Sequence, residues 1–140
     1  MKVLIVTVLL LLRLNAPASM EYALDLFKSF ESKPILSFDT LMLNSDTLLE
    51  GQVYKFIYRF ENTGTSPLIL YSVKSSCGCY VPQWPKDPIS PGARDSVIGV
   101  YSSRGRPGRF VKSMTVKSND PRNPTIMLQC KGYTIPKTNY

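Results

Sequence analysis

One hundred and forty residues are enough for one domain with its own core, and leave no room for a second large one. An apolar content of 44% excludes wholesale disorder. Seventeen basic against ten acidic residues give a net charge of +7, and the absence of histidine excludes His general bases, His metal ligands and every Ser–His or Cys–His pair.

Lys2 opens a short positive region, and Val3 to Leu12 is apolar apart from Thr7. Ala16-Pro17-Ala18 follows as a small-x-small pattern, with a cut expected between Ala18 and Ser19. This is the layout of a secretory signal peptide over residues 1–18. The apolar run falls well short of the roughly 20 residues of a membrane span, so no stable span is expected after cleavage. The alternative is an uncleaved leader that tethers the protein. No cysteine lies near the cut, so lipid attachment is not expected. Loss of the leader removes Lys2 and Arg13 and leaves 15 basic against 10 acidic residues, a diffuse excess. The expected setting is secreted or periplasmic.

Residues 19–34 read as a short helical extension. Tyr22, Leu26 and Phe30 recur at helical spacing, with Ala23 and Phe27 beside them, and Pro34 ends the pattern. Such a face packs on a domain edge or serves as a membrane-surface or partner-binding segment.

From Ile35 the period is two. Tyr54, Phe56, Tyr58 and Phe60 share one face of a strand, with Val53, Lys55, Ile57 and Arg59 on the other. Leu68 to Val73 reads as a buried strand. Strands also follow at Ser96–Tyr101, which carries Val97, Ile98 and Val100, at Phe110–Val116, where Phe110, Met114 and Val116 alternate with Val111, Ser113 and Thr115, and at Ile126–Lys131, where Ile126, Leu128 and Cys130 alternate with Met127, Gln129 and Lys131. Cys130 shares parity with Ile126 and Leu128, which makes it a core residue; a bridge to Cys77 or Cys79 is the alternative. Turn residues separate the strands at 61–67, Pro91-Gly92, 104–108 and 118–121. With no helix between strands, a βαβ topology is excluded. The pattern predicts an all-β antiparallel sandwich of about seven strands over residues 35–135.

Several motifs occur in order: Phe60-Glu-Asn-Thr-Gly64, Pro67-Leu68-Ile69, Ser76-Cys77-Gly78-Cys79, Pro88-Ile89-x-Pro91-Gly92, Gly108-x-Phe110-x-Lys112, Ser118-Asn119 and Leu128-x-x-x-Gly132. Together they resemble the bacterial domain-of-unknown-function 1573 family across roughly Ile35 to Tyr133. The resemblance implies an Ig-like sandwich similar to ASH, MSP and PapD-like domains, in exported bacterial proteins, many from the Bacteroidetes. It implies no activity. Two places depart from the family pattern. Asn44-Ser45-Asp46-Thr47-Leu48 stands where an aspartate-phenylalanine-glycine element is usual, and Tyr80 stands where a threonine is usual.

Cys77-Gly78-Cys79 is the sharpest local feature. Two extended residues span roughly 6.6 to 7.2 Å between Cα atoms, and a disulfide wants about 4.4 to 6.8 Å, so bridging requires a bend at Gly78. The pair reads as a disulfide, as a two-thiolate site for a soft metal such as Cu(I), or as small buried hydrophobes at a tight turn. Arg104, Arg106 and Arg109 flank Gly105, Pro107 and Gly108 in what reads as a solvated hairpin turn; binding of an anionic sugar or envelope polymer is the other reading. Trp84, among three prolines, either covers an open end of the sandwich or anchors a partner. The acids Glu50, Glu61, Asp87, Asp95 and Asp120 show no paired spacing.

These readings converge on an exported, non-catalytic Ig-like module with no cofactor. It would bind a protein or a cell-envelope component, not nucleic acid, with Trp84, Arg104 and Arg106 as candidate contacts. The alternative is a thiol redox or copper-handling protein that uses Cys77 and Cys79.

Overall fold

A computed structural model describes residues 32–137 of the chain. The signal-peptide reading and most of the helical-extension reading lie outside the described residues. Ser32 to Ile35 run as irregular chain into the first strand.

Among the described residues there are eight strands: β1 (Leu36–Phe38), β2 (Met42–Leu49), β3 (Val53–Asn62), β4 (Leu70–Ser75), β5 (Tyr80–Gln83), β6 (Arg94–Ser102), β7 (Gly108–Ser118) and β8 (Thr125–Ile135). They form two four-stranded sheets. Sheet A has the order β1-β3-β6-β5 and sheet B the order β2-β8-β7-β4. The fold is therefore the expected all-β, Ig-like sandwich, with one strand more than the period-two pattern marks.

Alternation decides which side of each strand is buried. In β3, Phe56, Tyr58 and Phe60 are buried while Val53, Lys55, Ile57 and Arg59 are exposed. In β7, Phe110, Met114 and Val116 face inward, and they meet Leu128 and Cys130 of β8. Burial of each large apolar side chain contributes about 1.5–3 kcal/mol, so these faces carry most of the stability.

The sheets are antiparallel with one exception. β2 pairs with β8 in parallel, through Met42↔Gln129 to Leu49↔Ile135. Only Asp39, Thr40 and Leu41 separate β1 from β2. Three residues carry the chain from sheet A to sheet B without reversing it, so β2 keeps its direction and runs alongside the last strand. The expected all-antiparallel arrangement is corrected here. The 104–108 segment also differs from the expected hairpin: it links β6 of sheet A to β7 of sheet B.

Polar pins close the end of the sandwich where β1 enters. The Asn62 side chain accepts from the N–H groups of Ile35 (3.3 Å) and Gly64 (3.0 Å) and donates to the carbonyls of Ser66 (2.8 Å) and Ile89 (2.9 Å). Its amide is thus fully used in a site with no solvent access. A side chain on Gly64 would collide with the backbone of Lys33, Pro34 and Ile35, so glycine is required for that approach. Asp120, equally buried, accepts from Leu36 N–H (2.9 Å) and Arg122 N–H (2.8 Å) and so ties β1 to the β7–β8 connection. Burial opposes its ionisation, but those backbone donors, with Asn123 N–H and the Arg122 guanidinium, hold its carboxyl below the ordinary value.

Between the sheets, the hydroxyls of Tyr58 and Tyr80 hydrogen-bond at 3.2 Å, and the Cys130 thiol interacts with both. Burial pushes all three groups up, which keeps them neutral at physiological pH. Cys130 is a core residue, as its strand parity predicts, and its thiol is unpaired.

Candidate functional site

The Cys77–Cys79 segment lies where the chain leaves β4 of sheet B and enters β5 of sheet A. Its two sulfurs form a disulfide, and the Cα atoms stand 5.3 Å apart, shorter than an extended pair because the chain bends at Gly78. Both flanks are anchored. Ser75 Oγ donates to Cys77 O (2.8 Å), Ser76 N–H donates to Ser113 O (2.9 Å) and Ser102 N–H donates to Cys79 O (3.0 Å). The segment acts as a staple at a change of sheet. With both sulfurs in one bond, neither is a thiolate ligand for a soft metal. Among the described residues, no group of three or more His, Cys, Asp and Glu side chains is arranged to hold a metal ion.

Trp84 follows directly after β5. It is half-buried and packs against the core, with the Lys86 ammonium 2.8 Å from its ring centroid. Its indole N–H is buried without a partner. Trp84 therefore covers the core edge while part of its side chain stays accessible. Arg104 and Arg106 are exposed in the β6–β7 connection, where Gly105 adopts a positive φ of 65°. Arg106 turns back to donate to the Arg104 carbonyl (2.7 Å), and Arg104 borders a depression shared with Glu50 and Lys137. The Ser102–Cys79 bond puts the arginine connection and the disulfide at one end of sheet A, while Trp84 lies past the other end of β5. The structure does not bring the five candidate residues into one site.

It brings together a different group. On the outer face of sheet A, Ile57 lies opposite Ile98, which lies opposite Gln83. In the adjacent row Lys55 lies opposite Val100, which lies opposite Val81. Ile57, Ile98, Val100 and Val81 thus form a continuous apolar strip across three strands. Ile57 is 41% exposed and Val81 52%, and Val53 extends the strip at 64%. Water-facing positions of an antiparallel sheet are ordinarily polar, so this strip is the candidate binding surface among the described residues. Lys55 and Arg59 flank it, and among the described residues neither forms an ion pair. The signal was visible in the sequence as Val53 and Ile57 on the polar face of β3. The contribution of β5 and β6 was not, because it depends on register.

The edges are less suited to binding. β1 has three residues, and β5 has four, including Pro82, which has no N–H to donate. β2 and β4 both carry register breaks. Short, bulged or proline-bearing edges resist addition of a further strand.

Comparison with known proteins agrees with the fold. Residues 36–134 match the family described as "Protein of unknown function (DUF1573)". No curated protein sequence matches the chain. Among solved structures, a protein of unknown function from Porphyromonas gingivalis W83 superposes with a TM-score of 0.63 at 17% identity, over 73% of this chain and 47% of that one. The chain thus spans about half the length of that relative. The ASH/PapD-like domain 7 of human CEP192 superposes with a TM-score of 0.56 at 15% identity, over 76% of this chain and 89% of that domain. The periplasmic chaperone SfaE reaches a TM-score of 0.50 at 12% identity, over 74% and 58% of the two chains. At these identities the likeness concerns the fold.

Proposed function

The chain belongs to the family of proteins of unknown function DUF1573, and from that premise we propose an exported, non-catalytic Ig-like module that binds a protein partner through the outer face of sheet A. The observation that carries this reading is the apolar strip of Ile57, Ile98, Val100 and Val81 on a face that strand alternation would make polar. Lys55 and Arg59 beside the strip favour a partner whose own apolar patch has an acidic rim. Export is supported by the leader pattern of residues 1–18 and by the Cys77–Cys79 bridge, since disulfides persist in oxidising compartments.

Site-directed photo-crosslinking tests the reading. A crosslinker replaces Val81 or Ile57 on sheet A, or Met127 on the outer face of sheet B, in cells of the source organism. The expected result is a discrete adduct of one size from the two sheet A positions and none from Met127. Equal labelling from both faces, or no adduct from sheet A, overturns it.

A further inference from the structure

The opposite face of the sandwich carries a second arrangement, independent of the strip on sheet A. The register between β2 and β8 breaks between Asn44 and Thr47, so Ser45 and Asp46 bulge out of the ladder. Beside the bulge is a recess of about 410 Å³, lined by Asn44, Asp46, Arg109, Lys131, Gly132 and Tyr133 among others. That volume is within the usual range of small-ligand sites, about 300–1,000 Å³. Gly132 is part of its construction. A side chain there would meet Ser45 O at 2.7 Å and the Phe110 ring at 2.8 Å, so any larger residue would push the bulge away.

Register fixes the order of the groups. Tyr133 lies between Thr47 and Arg109, and Lys131 lies between Asn44 and Val111. Arg109 and Lys131 are therefore diagonal neighbours across the β7–β8 ladder, roughly 7–8 Å apart at the backbone. Both are exposed, and among the described residues neither has a carboxylate within 4 Å. Tyr133, 45% exposed, stands beside them.

Each group narrows the ligand. Two unpaired cations, one a forked guanidinium, select a carboxylate-sized anion. The exposed tyrosine ring supplies a flat apolar surface and a hydroxyl. Asn44 offers both donors and acceptors, and Asp46 offers acceptors for hydroxyl protons. Asp46 also works against a dense polyanion such as polyphosphate or nucleic acid. A ring with one carboxylate, several hydroxyls and an apolar C–H face satisfies all of these groups. We propose that this recess binds an acidic saccharide of the uronate class. The anionic-sugar reading of the 104–109 segment is thereby moved along the chain: Arg109 acts with Lys131 and Tyr133, and Arg104 and Arg106 take no part.

Calorimetric titration of the full chain tests it, with trigalacturonate, its fully methyl-esterified form and a tetraglutamate peptide as probes. Trigalacturonate is expected to bind, with the ester and the peptide each at least tenfold weaker. Arg109→Gln and Tyr133→Leu should each weaken trigalacturonate binding about tenfold or more. Lys117→Gln, on the same face but away from the recess, and Val81→Glu, on sheet A, should leave it unchanged. Circular dichroism confirms that each variant is folded. No binding of trigalacturonate, equal binding of the peptide, or an equal loss in Lys117→Gln overturns the proposal. Equal binding by the peptide would assign the recess to an acidic protein segment, and a loss in Val81→Glu would place the ligand on the other face.

Discussion

Single side chains at the β1 end of this sandwich do more than turn residues ordinarily do. Asp120 precedes a proline and reads as turn chemistry in the sequence, yet its carboxylate is fully buried and holds the Leu36 N–H of another sheet. Asp120→Ala should cost about 1–3 kcal/mol, the penalty of leaving that N–H buried and unpaired. The pH dependence follows from the depressed carboxyl. A group whose folded pKa is below its unfolded value stabilises fully above the unfolded value, here 3.8, and loses that contribution as pH falls through the folded value. Urea midpoints of wild type and Asp120→Ala should therefore differ most near pH 7, and the difference should shrink as pH falls below 3.8. Cysteine chemistry gives a second check. The native protein should take up no alkylating agent, because Cys130 is buried and Cys77 and Cys79 are bridged. Denaturation without reductant should expose one thiol, and reduction all three, read as mass increments. The burial of Cys130 was legible from its parity with Leu128. The inward turn of Asp120 was not, because nothing local distinguishes a solvated turn carboxylate from one that reaches a residue 84 positions away.

At the level of elements, strands with uninterrupted alternation were the legible ones. β3, β7 and β8 alternate cleanly, and their buried faces match the period-two reading, whereas β6 was legible as a strand but carries apolar residues on both faces. β2 was hidden because Asn44-Ser45-Asp46-Thr47 is polar and its bulge breaks the period that identifies a strand. β4 starts at Leu70, not Leu68: Leu68 instead bridges Ile89, and a register break next to Tyr71 leaves that side chain 64% exposed. The β4–β5 crossing depends on its staple. The combined substitution Cys77→Ser and Cys79→Ser should lower the unfolding free energy by about 1–2 kcal/mol, the small value expected for so short a loop. Native-state hydrogen exchange should show faster opening of β5 than of β7 in that variant.

For the whole molecule, the two sheets place an apolar strip on one outer face and a cationic, tyrosine-bearing recess on the other. Lys55 and Arg59 are exposed at the rim of the strip, so they should act on encounter more than on the bound state. Once a partner is in hand, raising salt from about 50 to 500 mM should slow association several-fold with little change in dissociation, as read by surface plasmon resonance. A change confined to the dissociation rate would remove the charged rim from the mechanism. Spacing along the chain was enough for the sandwich class and for the inward faces of β3, β7 and β8, since period-two alternation is a local property. The folded chain was needed for the bend that lets Cys77 bridge Cys79, the parallel β2–β8 pair, the inward role of Asp120, the continuous strip across β3, β6 and β5, and the meeting of Arg109, Lys131 and Tyr133. All but the first depend on which strands lie side by side and in what register, and residues distant in the chain become neighbours only when both are set.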